Sequence, residues 1–134
     1  MRVVSDDSLN KLFELARGIS RNIPMKIKHV CFICKGKKIL AIGWNKNKTH
    51  PAIFRHPYNK FSTQIHAELD AIIKFGRTDC SKYDIVVIRI RPNGKMGYSK
   101  PCKGCQHVIK QVGFNSVYYS TDFNSFIHQT EIFV

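Results

Sequence analysis

Residues 83–90 read "YDIVVIRI", an apolar run with almost no alternation of polar and apolar positions. A strand reads this way when layers of structure cover both of its faces, and it is the stretch around which the rest of the chain organises. On its N-terminal side, "IHAELDAIIKFG" (residues 65–76) has helical spacing and a glycine stop signal. On its C-terminal side, "RPNGKMGYSK" (91–100) reads as a loop. "PCKGCQHVIKQVG" (101–113) then opens with proline and closes with glycine, the usual punctuation of a helix. "NSVYYST" (115–121) is a strand, "DFN" a turn, and "FIHQTEIFV" (126–134) a last strand. Further upstream, Leu9, Leu12, Phe13, Ala16 and Ile19 recur at helical spacing over residues 6–21. "IKHVCFICKGKKILAIGWN" (27–45) gives two strands joined at Lys35-Gly36. Residues 46–64, with two prolines and no sustained period, read as a long basic loop. The order α-β-β-α-β-α-β-β predicts an α/β sandwich built on one sheet of five strands. About 13 residues follow "VYYST", too few for a helical crossover, so the last two strands are expected to be antiparallel.

A chain of 134 residues suits a single domain, and 43% hydrophobic content reads as globular. No run approaches the roughly 18 apolar residues of a membrane span, and the first residues lack the apolar core of a secretory signal. A soluble, cytoplasmic protein with no membrane partner is the expectation. Five cysteines are an odd number for a disulfide framework, and four of them form two Cys-x-x-Cys pairs, Cys31/Cys34 and Cys102/Cys105. In a reducing compartment such pairs point to metal or redox chemistry. The net charge is +13, and between Glu14 and Glu68 stand eleven Lys/Arg and no carboxylate. A second acid-free zone, from Asp84 to Asp122, holds Arg89, Arg91, Lys95, Lys100, Lys103 and Lys110. Such a field attracts phosphate-bearing partners.

Glu68 ends the first acid-free zone two positions after His66, at the start of an apolar helix. Cys102 and Cys105 stand three apart at the start of another, so both can lie on one face near unpaired backbone N–H groups. A helix N-terminus favours thiolate over thiol. If the two helix starts converge, His66, Cys102 and Cys105 give zinc three N/S ligands and leave one position open, the stoichiometry of a catalytic rather than a structural site. Zinc makes a water nucleophilic near neutral pH. Glu68 is then placed to carry the proton that this chemistry must move.

The "HAE" at 66–68 and the "PCKGC" at 101–105 resemble the H-x-E…P-C-x-x-C signature of zinc-dependent nucleobase deaminases, a motif already established as a general rule for that family. "GWN" (43–45), "VGFNSVYY" (112–119) and the helix-strand-strand opening are also similar to stretches of deoxycytidylate and tRNA adenosine deaminases. The resemblance covers most of the chain and implies a three-layer α/β/α sandwich of the cytidine deaminase-like fold, with a five-stranded mixed sheet. It implies that His66, Cys102 and Cys105 hold Zn2+ and that Glu68 is the general acid/base. Asn45 would contact sugar or base, with Trp44 and Ala67 beside it. The carbonyl of Ser99 or Lys100, just before Pro101, would accept the departing amine. A homo-oligomer, dimer or tetramer, is the expected assembly.

The antiparallel last strands are a feature of free-nucleoside cytidine deaminases, whereas "CKGCQ" lacks the C-G-x-C-R-Q usual in their small tetrameric members. The basic loop and the aromatic residues Trp44, Phe54, Tyr58, Phe61 and Tyr98 suit a phosphorylated or polymeric substrate. The expected reaction is hydrolytic deamination of cytosine to uracil in a cytidine-type nucleoside or nucleotide. One alternative is a cytosine or adenine deaminase of single-stranded DNA or RNA. Another, of a different class, is a non-catalytic basic zinc-binding nucleic-acid module in which Cys31 and Cys34 join Cys102 and Cys105. Positions three apart on a strand point to opposite faces, which speaks against it.

Overall fold

The structure, a computed structural model, describes residues 6–46 and 65–129. Apart from Lys46, the basic loop therefore lies outside the described residues, as do the last five positions of the expected final strand.

Helix α1 (Asp6–Ser20) carries Asp6 and Asp7 in its first turn, where they complement the helix dipole, and buries Leu9, Leu12 and Ala16 along one side. Strands β1 (Lys28–Lys35) and β2 (Lys38–Trp44) form the expected hairpin, with a register shift at Ile33/Cys34. Helix α2 (Ala67–Phe75) follows, then β3 (Asp84–Ile90), the short β4 (Met96–Gly97), helix α3 (Lys103–Val112), β5 (Ser116–Ser120) and β6 (Phe126–Gln129). The main path through the sheet is β2-β1-β3-β5-β6. Strand β3 is antiparallel to β1 and parallel to β5, and β5 is antiparallel to β6, as the short C-terminal stretch required.

The sheet has six strands rather than five. Residues 91–95 turn tightly, with the Gly94 N–H donating to the Arg91 carbonyl and the Arg91 N–H to the Lys95 carbonyl, each at 2.8 Å. That turn brings Met96 and Gly97 back onto Ile90 and Arg89, along β3 beyond the last β5 pair at Val87. A two-residue strand inside polar, turn-rich sequence has no periodicity to announce it.

Alternation along each strand sorts the core into two layers. Val30, Phe32, Cys34, Val86, Ile88, Ile90 and Tyr118 pack with α1 on one face. Cys31, Ile33, Ile85, Val87, Val117 and Tyr119 pack on the other with Ala67, Ala71 and Ile72 of α2 and Ile109 of α3. This is why "YDIVVIRI" carries no polar face: both of its faces are cores. Among the described residues, no helix is long and apolar enough to cross a membrane.

Candidate active site

The N-termini of α2 and α3 converge at one end of the sheet. His66 is the N-cap of α2 and Cys102 the N-cap of α3, and neither uses its side chain to cap its own helix. Cys105 lies in the first turn of α3 and is buried. His66 Nδ1 stands 3.5 Å from Cys102 Sγ and 3.4 Å from Cys105 Sγ. The three ligand atoms all lie within 4.8 Å of one another. Tetrahedral zinc, with bonds of about 2.0–2.3 Å, needs neighbouring ligand atoms roughly 3.5 Å apart, which the two His66–cysteine separations match. Hydrogen bonds from the Cys105 thiol and the His66 ring bring the Cys102 thiol down to about 3. The same sharing with Cys102, together with burial, pushes Cys105 up. His66 is raised chiefly by its bond to Cys102.

Glu68 occupies the second position of α2 and is only 6% exposed. Burial raises its carboxyl above the ordinary range, since it disfavours the charged form. A pocket of about 400 Å³ opens on this group, lined by Glu68, His66, Ala67, Cys102, Ser99, Lys100, Asn45, His29 and residues 25–27.

Two features fix these walls. Gly43 packs so closely under α2 that a side chain there would run into the Ala67 carbonyl and the Ala71 backbone nitrogen. The glycine of "GWN" is thus demanded by helix packing one residue from His66. Ser99 holds the other wall. Its hydroxyl donates to the Val87 carbonyl at 2.7 Å and accepts from the Ser120 N–H at 2.9 Å. Ser120 Oγ donates to the Gly97 carbonyl at 2.6 Å and accepts from the Arg89 N–H at 3.0 Å. The two hydroxyls carry the ladder where β3 changes partner from β5 to β4, and they fix the chain leading into Cys102.

The other expected contacts divide. Ala67, Ser99 and Lys100 line the pocket. Pro101 is buried outside that lining, with its carbonyl accepting from Gln106 Nε2 at 2.7 Å. Trp44 is also outside it, because adjacent residues in an extended chain point to opposite sides. Its ring lies under Lys74 Nζ at 3.8 Å and Lys46 Nζ at 4.5 Å from the centroid. Asn45 reaches the pocket, but its side chain is committed: Oδ1 accepts from the His29 N–H at 2.8 Å, and Nδ2 donates to the Ile27 carbonyl at 2.6 Å.

Sequence reasoning missed the wall made by residues 25–27 and His29. It also missed Asp70, which is buried and accepts from Lys46 Nζ at 3.1 Å, Lys74 Nζ at 3.0 Å and the Trp44 N–H at 3.1 Å. Cys31 and Cys34 face opposite layers, so they do not meet each other or Cys102/Cys105 in a four-cysteine site. Among the described residues, His66, Cys102 and Cys105 form the one group able to hold a metal.

Residues 7–121 match the family model described as the cytidine and deoxycytidylate deaminase zinc-binding region. The chain belongs to the cytidine and deoxycytidylate deaminase family. Its membership makes it a zinc-binding, hydrolytic deaminase, with the His66-Cys102-Cys105 group able to hold the ion. Among solved structures, the deaminase fold is shared with a cytidine deaminase from Burkholderia pseudomallei, at a TM-score of 0.60 and 15% identity over 90% of this chain and 91% of that one. A dCMP deaminase from cyanophage S-TIM5, solved in complex with dCMP and dUMP, gives a TM-score of 0.56 at 22% identity over 87% and 83%. A cytidine deaminase from Mycobacterium leprae gives 0.54 at 16% over 91% and 92%. At these identities the likeness speaks to fold alone. No curated protein matches the sequence.

Proposed function

We propose that the protein converts the cytosine of a cytidine-type nucleoside or nucleotide to uracil, releasing ammonia. The observation that carries this reading is the buried Glu68 carboxyl in a pocket of about 400 Å³ whose wall also bears all but one of the His66-Cys102-Cys105 donors. That volume falls in the ~300–1,000 Å³ range of small-molecule sites. Zinc, held by His66, Cys102 and Cys105, would supply the Lewis acidity that makes water nucleophilic near neutral pH. Glu68 takes the proton of the attacking water and passes it to the pyrimidine ring nitrogen; it then takes the proton of the hydroxyl newly added to the ring carbon and passes it to the departing amine, so that uracil and ammonia leave. The Ser99 or Lys100 carbonyl accepts an N–H of that amine, and the Ser99–Ser120 hydroxyl pair keeps this wall in place. Ala67 lies against the base. The cyanophage dCMP deaminase, which was solved with dCMP and dUMP bound, supports a nucleotide-sized substrate by analogy.

The runner-up is a single-stranded nucleic acid substrate, favoured by the +13 net charge and by exposed Lys26 and Lys100 on the rim of the pocket. The experiment is a panel of cytidine, deoxycytidine, their monophosphates, short cytosine oligonucleotides and adenine counterparts, read as base conversion by the zinc-loaded protein. Uracil from a mononucleoside or mononucleotide is the expected result. Conversion confined to oligonucleotides would transfer the assignment to the runner-up, and conversion of none would overturn it.

A further inference from the structure

Asn45 was expected to touch the substrate, yet its side chain is engaged by the protein's own backbone. Oδ1 holds the His29 N–H at 2.8 Å and Nδ2 the Ile27 carbonyl at 2.6 Å, with Met25 Sδ at 3.4 Å. Those bonds order residues 25–29 as a wall of the pocket and leave its hydrogen-bonding duty unfilled. His29 stands next to Asn45 on that wall. Its backbone is fixed from both sides, by Asn45 and by Arg89 directly across β1–β3. Among the described residues none hydrogen-bonds its ring. A neutral imidazole offers one donor and one acceptor, the pattern that a hydroxyl complements.

The reacting carbon and amine must sit at the His66–Glu68 end. His29 shares the pocket with His66 and Cys102, whose charges it feels, and with the exposed Lys26 and Ile27 three and two residues before it, where whatever is attached to the pyrimidine can leave the pocket. We infer that His29 is a specificity-determining residue that hydrogen-bonds a sugar hydroxyl of the bound nucleoside, and that Asn45 is the positioning residue that presents it. This rests on the deaminase reading above. Arg89 supports the arrangement from beneath. Its Nε is buried without a hydrogen-bond partner among the described residues. Burial above all, then the charges of Arg89 and His66, hold His29 down at about 4, neutral and able to accept as well as donate.

The test uses zinc-loaded wild type, His29→Leu and His29→Gln, with cytidine, its 2′-deoxy and 3′-deoxy analogues (or their monophosphates, where only those react) and free cytosine. Metal content and Tm of each protein are measured alongside. Wild type should discriminate against at least one analogue lacking a hydroxyl by about 10-fold in kcat/KM, the scale of one hydrogen bond. His29→Leu should lose that factor on the hydroxyl-bearing substrate, mainly in KM, and should handle the matching deoxy analogue as wild type does. His29→Gln, which keeps a donor and an acceptor, should recover part of the loss. An equal loss on every substrate, or discrimination unchanged in His29→Leu, would overturn the role. A wild type inactive on the whole panel would instead refute the deaminase assignment, so the two failures are distinguishable.

Discussion

Among the described residues, no lysine or arginine pairs with Glu68; its neighbours are His66 and the two thiols that would carry the metal. Replacing it with glutamine keeps shape and burial but removes the titrating proton. Glu68→Gln should retain zinc, by elemental analysis, and lose at least ~10²-fold in kcat. Activity within a few-fold of wild type would move proton transfer elsewhere. His29 provides a second residue-scale check, through stability. It is held at about 4 in the fold by burial, Arg89 and His66, with Cys102 opposing, against 6.5 for the free side chain. Below about 6.5 the unfolded chain therefore binds a proton that the folded chain refuses. Its contribution is fully present above that value and is lost as pH falls toward 4. Denaturation midpoints of His29→Gln should fall less steeply than wild type across that interval; parallel curves would mean His29 titrates normally in the fold.

At the scale of elements, the site is a consequence of how β2 sits under α2. Gly43→Ala would force the strand and the start of the helix apart. The expected cost is about 1–3 kcal/mol, as for other overpacked positions, with weakened zinc retention because Ala67 follows His66 directly. Chemical denaturation and a chelator-competition titration measure the two effects; an unchanged metal affinity would uncouple the strand from the site. The helices, their glycine ends, the antiparallel close of the sheet and the meeting of His66 with Cys102 and Cys105 were all legible in the sequence. Each rests on spacing or on a capping residue that acts locally. What was not legible was the partnership of His29 with Asn45. From the turn, Lys35 faces Lys38 and Cys34 faces Ile39, but after the irregularity Ile33 faces Ala41. That one-residue slip brings His29 beside Asn45 rather than Trp44, and no periodicity announces it. Asp70 stayed hidden for a related reason: its cationic partners come from another element and from one turn along the same helix.

At the scale of the whole molecule, charge decides which substrates approach. Among the described lysines, Lys46 is not available for recognition, since it is bound to Asp70. Lys26 and Lys100 are exposed on the rim of the pocket and carry no such partner among the described residues. A Lys26→Gln/Lys100→Gln double variant should lower kcat/KM for a monophosphate several-fold at low salt and leave a free nucleoside nearly untouched. For an oligonucleotide the loss should be larger, and the salt slope shallower by about 0.7 for each phosphate contact removed. Steady-state kinetics across a salt series gives all three readings. If nucleoside turnover falls as much as monophosphate turnover, the rim acts on folding or on the base and not on phosphate.

The paired amides of Lys46 and Ile65, each donating to the other's carbonyl at 3.0 Å, join the two ends of the 18 positions between them at one point. Joining two ends of a chain in this way depends only weakly on the length between them, about 0.6 kcal/mol for each doubling. Natural variation can therefore rewrite that segment, lengthen it or trim it toward a hairpin turn while the sheet and the metal-binding helices stay almost unaffected. Since Ile65 precedes His66, the point where those ends meet lies one residue from the site. The architecture thereby gives evolution a length of chain to change without risking the chemistry.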